Sequence, residues 1–362
     1  MAELTIARGT CYPLFAYEVA YAIDLDAAER QVLAAKERQT VKSKRRAPAS
    51  FEYRPAPLRV IQRGSPVAVG AYQAAADVEV VLYDFGAVSV SYSLPLAGPL
   101  RDLAPLAADL WGNRDLLADS RRHVERLLGT LGPAAVRPRI ADFVEDYTVF
   151  QIEAFTERCD AARLWTEQAG VVAQMLRAEP HSLSQQEVAD ATGTPLSFGP
   201  GDVTFIDPDA ALIFDPEGDD VRAVLEFANT QLLEMRFLDS QLDAALERAY
   251  TIVSRRPRLG PLPPYGPGLD QVARLQVDGA ILFERVTNAL KLIGEQYLAR
   301  VYGHVSRRFR IGEWDAAITR KLQTPESVYA KVADRAATRR METLEWIIIA
   351  LFVLSIVISL AG

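Results

Sequence analysis

The side chains best suited to chemistry are few and scattered. His123, His181 and His304 are the only histidines, and no two of them stand at metal-ligand spacing. His304 falls near the apolar face of a helix, where an imidazole more often packs than ligates or catalyses. Asp84-Phe85-Gly86 matches the magnesium-binding tripeptide of kinases. No glycine-rich loop, strand lysine or catalytic-loop pattern accompanies it, so it reads as a turn. The densest carboxylates are Asp207, Asp209, Asp215, Glu217, Asp219 and Asp220, a set that could hold a hard cation. Their spacing does not match a calcium loop, and Asp-Pro turns with an acidic helix start account for them equally well. Phosphate-loop, dinucleotide and nucleophile-elbow patterns are absent, so no catalytic, metal or cofactor residue is assigned and no cofactor is expected. Gln185 to Gly193 followed by a hairpin has the outline of a winged helix-turn-helix. Thr194-Pro195-Leu196-Ser197 interrupts the place of the recognition helix, so DNA is not an expected partner.

The elements that must position these residues change character along the chain. Cys11 to Ile23 is aromatic and β-branched and reads as a strand, followed by a helix near 25–38 capped by Asp24 or Asp26. Strands are expected at 58–62, 78–83, 87–94 and 147–155, with Gly86 at a hairpin turn or bulge. Leu100 to Leu131 is helical in period, with Gly112-Asn113 as a break, and helices are expected over 160–177 and 184–192 before a small hairpin at 203–206 and 211–214. Strand–helix–strand taken twice is the order of a ferredoxin-like α+β sandwich. From Asp219 onward the pattern is of long helices. Leu225, Leu232, Met235, Leu242 and Leu246 form one stripe, and Phe283, Val286, Leu290, Ile293 and Tyr297 a second. A Pro- and Gly-rich joint between them predicts an antiparallel coiled-coil hairpin with an oligomer-forming seam. Asp239 in that seam could pair with arginine across the hairpin, or fix register or oligomer state.

Charge and hydropathy set the expected location. The net charge of −7 argues against a surface that binds nucleic acid throughout. Lys42, Lys44, Arg45 and Arg46 form a local basic run that reads as a solvated loop or a polyanion contact. The two cysteines, Cys11 and Cys159, fit a reducing compartment. Near the end, Trp346, Ile347, Ile348, Ile349, Leu351, Phe352, Val353, Leu354, Ile356, Val357, Ile358 and Leu360 make an uncharged apolar run, read as a C-terminal transmembrane helix. Lys331, Arg335, Arg339 and Arg340 precede it and would keep the body cytoplasmic, a single-pass tail anchor contacting lipid.

Three pieces carry a family likeness: VVLYDFGAVSVSY (80–92), ANTQLLEMRFLDSQLDAALERAY (228–250), and Tyr297 to Val332 with the closing LEWIIIALFVLSIVI. In this order they resemble the domain of unknown function shared by the yeast and human "required for meiotic nuclear division" proteins and bacterial relatives. The resemblance implies membrane attachment, homo-oligomers and, for the mitochondrial member, support of translation; it carries over no catalytic residue. No Arg/Ser-rich presequence opens the chain, which points to a bacterial member at the cytoplasmic membrane. The expected organisation is then an α+β head (1–156), a helix and hairpin segment completing it (157–218), a coiled-coil hairpin (219–322), a juxtamembrane helix (324–343) and the anchor (344–362). The expected function is a homo-oligomeric tether that recruits a cytoplasmic protein or ribonucleoprotein. The competing expectations are a metal-dependent enzyme acting on a nucleotide or RNA through the acids of 207–220, and a lipid-binding module.

Overall fold

In this computed structural model the described residues are 4–32, 36–38, 52–53, 55–157, 159–254, 277–284, 290–291, 296–322, 345, 348–349 and 351. Strand β1 (Thr5–Glu18) is the spine, and its aromatic, β-branched composition favours a half-buried pleated surface on each side. Eight further strands join it: β2 (Lys36–Arg38), β3 (Leu58–Arg63), β4 (Asp77–Leu82), β5 (Ala87–Ser91), β6 (Leu94–Pro99), β7 (Glu145–Phe155), β8 (Val203–Ile206) and β9 (Ala210–Phe214). The nine-stranded sheet has the order β8-β9-β7-β1-β5-β4-β3-β2, with β6 pairing the first part of β1. All pairings are antiparallel except β7 with β9, which run parallel from Thr148–Ala210 to Ile152–Phe214.

The turn between β4 and β5 shows why glycine stands there. Gly86 has φ +107°, its carbonyl accepts from Val19 N and Ala20 N, and an added Cβ would lie 1.8 Å from the Ala20 oxygen. The turn is thereby locked onto the end of β1.

One face of the sheet carries α1 (Leu25–Gln31), α2 (Leu103–Leu110), α3 (Arg114–Leu131), α4 (Ala161–Thr166), α5 (Ala169–Leu176) and α6 (Gln185–Thr192). Phe15, Tyr17, Val80, Val90, Phe150 and Leu212 pack with them in a continuous apolar core. Asp24 caps α1 by accepting from Ala27 N at 2.9 Å, and Asn113 caps α3 by accepting from Leu116 N at 3.0 Å. The break at Gly112-Asn113 therefore falls where its residue types require. Opposite lie the first part of α7 (Asp219–Ser254) and α9 (Gln296–Arg308), with Tyr83 edge-on to Phe227 and Tyr147 edge-on to Phe309.

The chain divides into two compact units, Met1–Phe237 with Glu284–Glu313, and Leu238–Phe283 with Trp314–Gly362. In the second, Lys321 of α10 (311–322) bridges Asp239 and Asp243 at 2.7 Å each, and Gly279 of α8 (277–284) lies close enough to Leu238 that a Cβ would come within 2.9 Å. Asp239 thus does pair, with lysine.

The expected fold needs correction on two counts. The ferredoxin-like head is replaced by a larger mixed sheet, because β8 and β9 join β7 and so place 157–218 in the same layer as 1–156. The expected C-terminal transmembrane helix also falls: among the described residues no helix is long and apolar enough to cross a membrane. A span needs roughly 20 consecutive apolar residues in one helix. Only Glu345, Ile348, Ile349 and Leu351 of that stretch are described, helical and exposed, and they do not make one. The tail-anchored, single-pass placement at the cytoplasmic membrane falls with it. Trp346, Ile347, Phe352, Val353, Leu354, Ile356, Val357, Ile358 and Leu360 lie outside the described residues, as do Lys331, Arg335, Arg339 and Arg340. The coiled-coil stripe divides: Leu225 and Met235 are buried in the first unit, Leu242 in the second, and Leu232, Leu246 and Phe283 are half-buried. Leu290 pairs with Tyr53 in a two-residue strand, Tyr297 is buried in α9, and Val286 and Ile293 lie outside the described residues.

Candidate functional site

Two polar constructions stand out in the first unit. The first is the seam between the sheet and α7. Arg222, Glu226, Thr230 and Glu234 recur every fourth residue and so share one face of the helix. Arg222 lies 3.6 Å from Glu79 and its guanidinium sits 4.5 Å over the Tyr12 ring, while Arg59 holds Glu79 at 2.5 Å. Ser89 donates to Glu226 at 2.7 Å. Burial pushes the Glu226 carboxyl up, as does Glu79, and Arg222 opposes them. Burial also works against the charge on Arg222, but Glu79 and Glu226 outweigh it and raise its pKa. Two carboxylates and two guanidinium groups balance, the arrangement in which a buried charge is tolerable. Further along, Glu145 pairs with Arg236 and takes the Asn229 amide on its carbonyl at 3.3 Å. This seam fixes the helix on the sheet.

The second is an open groove of about 1210 Å³ between α4, α6, the segment 193–200 and α9. One wall is held by an ion cluster. Asp207, fully buried, lies between Arg177 and Arg308, and both arginines also reach Asp190. Burial raises the Asp207 carboxyl, with Arg177 and Arg308 pulling it back. The loop opposite is held by Asp202, which accepts from Phe198 N at 2.9 Å and Gly199 N at 2.7 Å. His304 lines the groove with Nε2 3.4 Å from the Thr194 hydroxyl and a hydrogen bond to the Ile206 backbone. Burial, then Arg308 and Arg307, lower its pKa, so the ring is neutral at pH 7. Trp165 is 48% exposed in the groove. Arg307 and Arg300 are exposed and make no ion pair among the described residues; Arg300 donates to the Ser197 carbonyl at 3.5 Å and lies over Tyr297. The groove offers cations, an aromatic face and hydroxyls, one of which, that of Thr194, stands 3.4 Å from the His304 ring.

The family described as "Uncharacterized protein MJ0711, N-terminal domain" matches residues 8–220. The chain belongs to that family. An archaeal relative from Methanocaldococcus jannaschii, "Uncharacterized protein MJ0711", is 23% identical over 221 residues, which is 60% of this chain and 67% of the relative. No solved structure matches. The matched span carries all of the sheet except the first three residues of β1, together with α1 to α6, and ends at the start of α7, so it holds the α4–α6 side of the groove but not α9. An archaeal relative does not support the bacterial setting expected from sequence.

The residues singled out from sequence are dispersed. His123 is buried, with Nδ1 2.9 Å from Gln62 Oε1 and Nε2 3.4 Å from Asp119, which also accepts from the Tyr92 hydroxyl and from Arg122, each at 2.7 Å. His181 is exposed beside Glu179. Asp84-Phe85-Gly86 is the β4–β5 turn. Of the clustered acids, Asp207 is claimed by arginines, Asp215 accepts from Glu217 N at 2.9 Å, and Asp219 and Asp220 begin α7. Among the described residues no three His, Cys, Asp or Glu gather to hold a metal ion. Lys42, Lys44, Arg45 and Arg46 lie outside the described residues. Sequence alone singles out neither Arg300 and Arg307 of α9 nor Trp165 of α4, which belong to different helices and share no spacing pattern.

Proposed function

We propose that the chain is a non-catalytic adaptor whose groove binds single-stranded RNA of a ribonucleoprotein partner. The supporting observation is the pairing of two exposed guanidinium groups with no carboxylate partner among the described residues, Arg307 in the groove and Arg300 beside it at Ser197, with the exposed indole of Trp165 beside a preformed loop. Guanidinium groups take phosphates, and an exposed aromatic face stacks a splayed base without demanding a sequence. The net charge of −7 makes this a local property rather than a general affinity. The likeness to the meiotic-nuclear-division family, whose mitochondrial member supports translation, agrees with an RNA-bearing partner. The competing enzyme reading loses support because the acids of 207–220 do not converge.

Fluorescence polarisation of a labelled single-stranded RNA with the full chain tests this. Loss of two phosphate contacts in R300E/R307E should weaken binding at least tenfold and reduce the salt slope by roughly 1.4. W165A should weaken it about tenfold by removing one stacking platform. Equal binding by wild type and R300E/R307E, or no binding at low salt, defeats the proposal.

A further inference from the structure

A second, smaller pocket lies apart from the groove, and its chemistry is of the opposite sign. It has a volume of about 250 Å³ and is enclosed by the end of α2, the start of β7, the end of α5 and the β8–β9 turn. Its floor is apolar: Leu110, Phe150, Met175 and Leu176 line it. Two carboxylates, Asp146 and Asp209, stand at its rim, and neither has an ion pair of its own among the described residues. The nearest cations by electrostatic effect, Arg236 and Arg177, are engaged with Glu145 and with Glu187, Asp190 and Asp207. Burial raises both carboxyl pKa values, and Asp146 raises that of Asp209 further.

Two more features point the same way. Helices α2 and α5 both end at the pocket, with Leu110 and Leu176 among its lining, so the negative ends of two helix dipoles meet there. Trp111, directly after α2, is 60% exposed and borders the pocket, offering a π face to a cation. Negative charge, negative dipole ends, an aromatic face and an apolar floor together describe one ligand class.

We infer that this pocket binds an alkyl-ammonium or alkyl-guanidinium group, its stem over Thr148 and Ala178 above the buried apolar floor and its charged head between Asp146, Asp209 and Trp111. The volume holds about eight waters at about 30 Å³ each. That suits one long basic chain and is below the ~300 Å³ at which pockets for drug-sized molecules begin. The source is either a small free amine or a lysine or arginine side chain presented by a protein.

Isothermal titration of the full chain with cadaverine, with agmatine and with the blocked peptide Gly-Lys-Gly tests the assignment, with 1-pentanol as the neutral control. The cations should bind and pentanol should not. D146N/D209N should weaken cation binding at least tenfold, and W111A about fivefold, as expected for an exposed cation–π contact. Tighter binding of the diamine than of the peptide supports a free amine, and the reverse supports a presented side chain. Absence of binding by all three cations up to ~10 mM, past the millimolar range of weak specific sites, overturns the inference. Equal affinity in D146N/D209N overturns it too. Should that variant fold poorly, wild-type binding that does not weaken with added salt serves as the refuting result.

Discussion

Glu18 at the end of β1 and Glu234 on α7 are both buried, 5% and 1% exposed, and they face each other with no cation paired to either among the described residues. Burial raises both carboxyl pKa values, and Glu234 further raises Glu18; Glu234 is pushed from 4.5 to about 7. A carboxyl raised by folding holds its proton in the folded chain where the unfolded chain has released it. For Glu234, stability therefore falls as pH climbs from the unfolded value near 4.5 through about 7, and Glu18, also raised well above its ordinary value, adds a loss of the same sign. Below the lower value both states are protonated and there is no penalty. The rise from 4.5 to about 7 corresponds to roughly 3 kcal/mol at most, and relaxation around the pair brings the expected figure to about 1–3 kcal/mol. Glu234→Gln keeps a donor for Glu18 and removes the ionisation. It should stabilise the first unit by about 1–3 kcal/mol at pH 8 and by near zero at pH 4.5. Glu18→Gln should act likewise, and the double variant should gain less than the sum because the pair shares one proton. Urea unfolding read on β1 and β5 peptides by hydrogen-exchange mass spectrometry reports the first unit alone. Glu145, also raised to about 7, titrates in both proteins and cancels in the difference. If wild type and Glu234→Gln show the same stability slope between pH 5 and 8, the reasoning is refuted.

Removing the arginines around Asp207 gives a second check. Arg308→Met or Arg177→Met alone should cost about 1–2 kcal/mol, both together about 3–5 kcal/mol, and Asp207→Asn added to the pair should recover part of it, measured by urea midpoint. Gly86→Ala should cost more than ~3 kcal/mol or abolish folding, since the added Cβ strikes the Ala20 oxygen. Gly98→Ala, with φ +110° but no atom within 4 Å, should cost only about 1–2 kcal/mol on the same assay.

Local structure was written in the sequence wherever a single residue's chemistry decides it. Asp24 and Asn113 cap the helices that follow them, Gly86 turns the β4–β5 hairpin, and Gly112-Asn113 separates α2 from α3. The sheet order was not legible, because pairing depends on partners distant in the chain. The parallel ladder of β7 with β9 joins residues some sixty positions apart, with α4, α5, α6 and β8 between them. A strand–helix–strand rhythm says nothing about which edge a later strand joins. The groove was hidden for a related reason. Arg300 and Arg307 belong to one helix and Trp165 to another, and a basic run ahead of an apolar tail invites a lipid explanation.

The most instructive misreading concerns α7. Its leucines and methionine recur near heptad spacing, and a seam of that kind assumes a wet opposite face. In the structure every residue from Val221 to Gln231 is buried, so that stretch has no wet face at all. The sequence does carry the warning. Ala223, Val224, Leu225, Phe227 and Ala228 spread over roughly 200° of the circumference, wider than a coiled-coil seam, and with the burial of every residue from Val221 to Gln231 this marks a helix enclosed by its own protein. In such a helix the polar row Arg222, Glu226, Thr230 and Glu234 cannot be solvent decoration; each member needs an internal partner. Those partners, Glu79, Ser89, Tyr83 and Glu18, come from the sheet. The polar row is thus the register mark that seats α7, and the apolar stripe is only part of its packing.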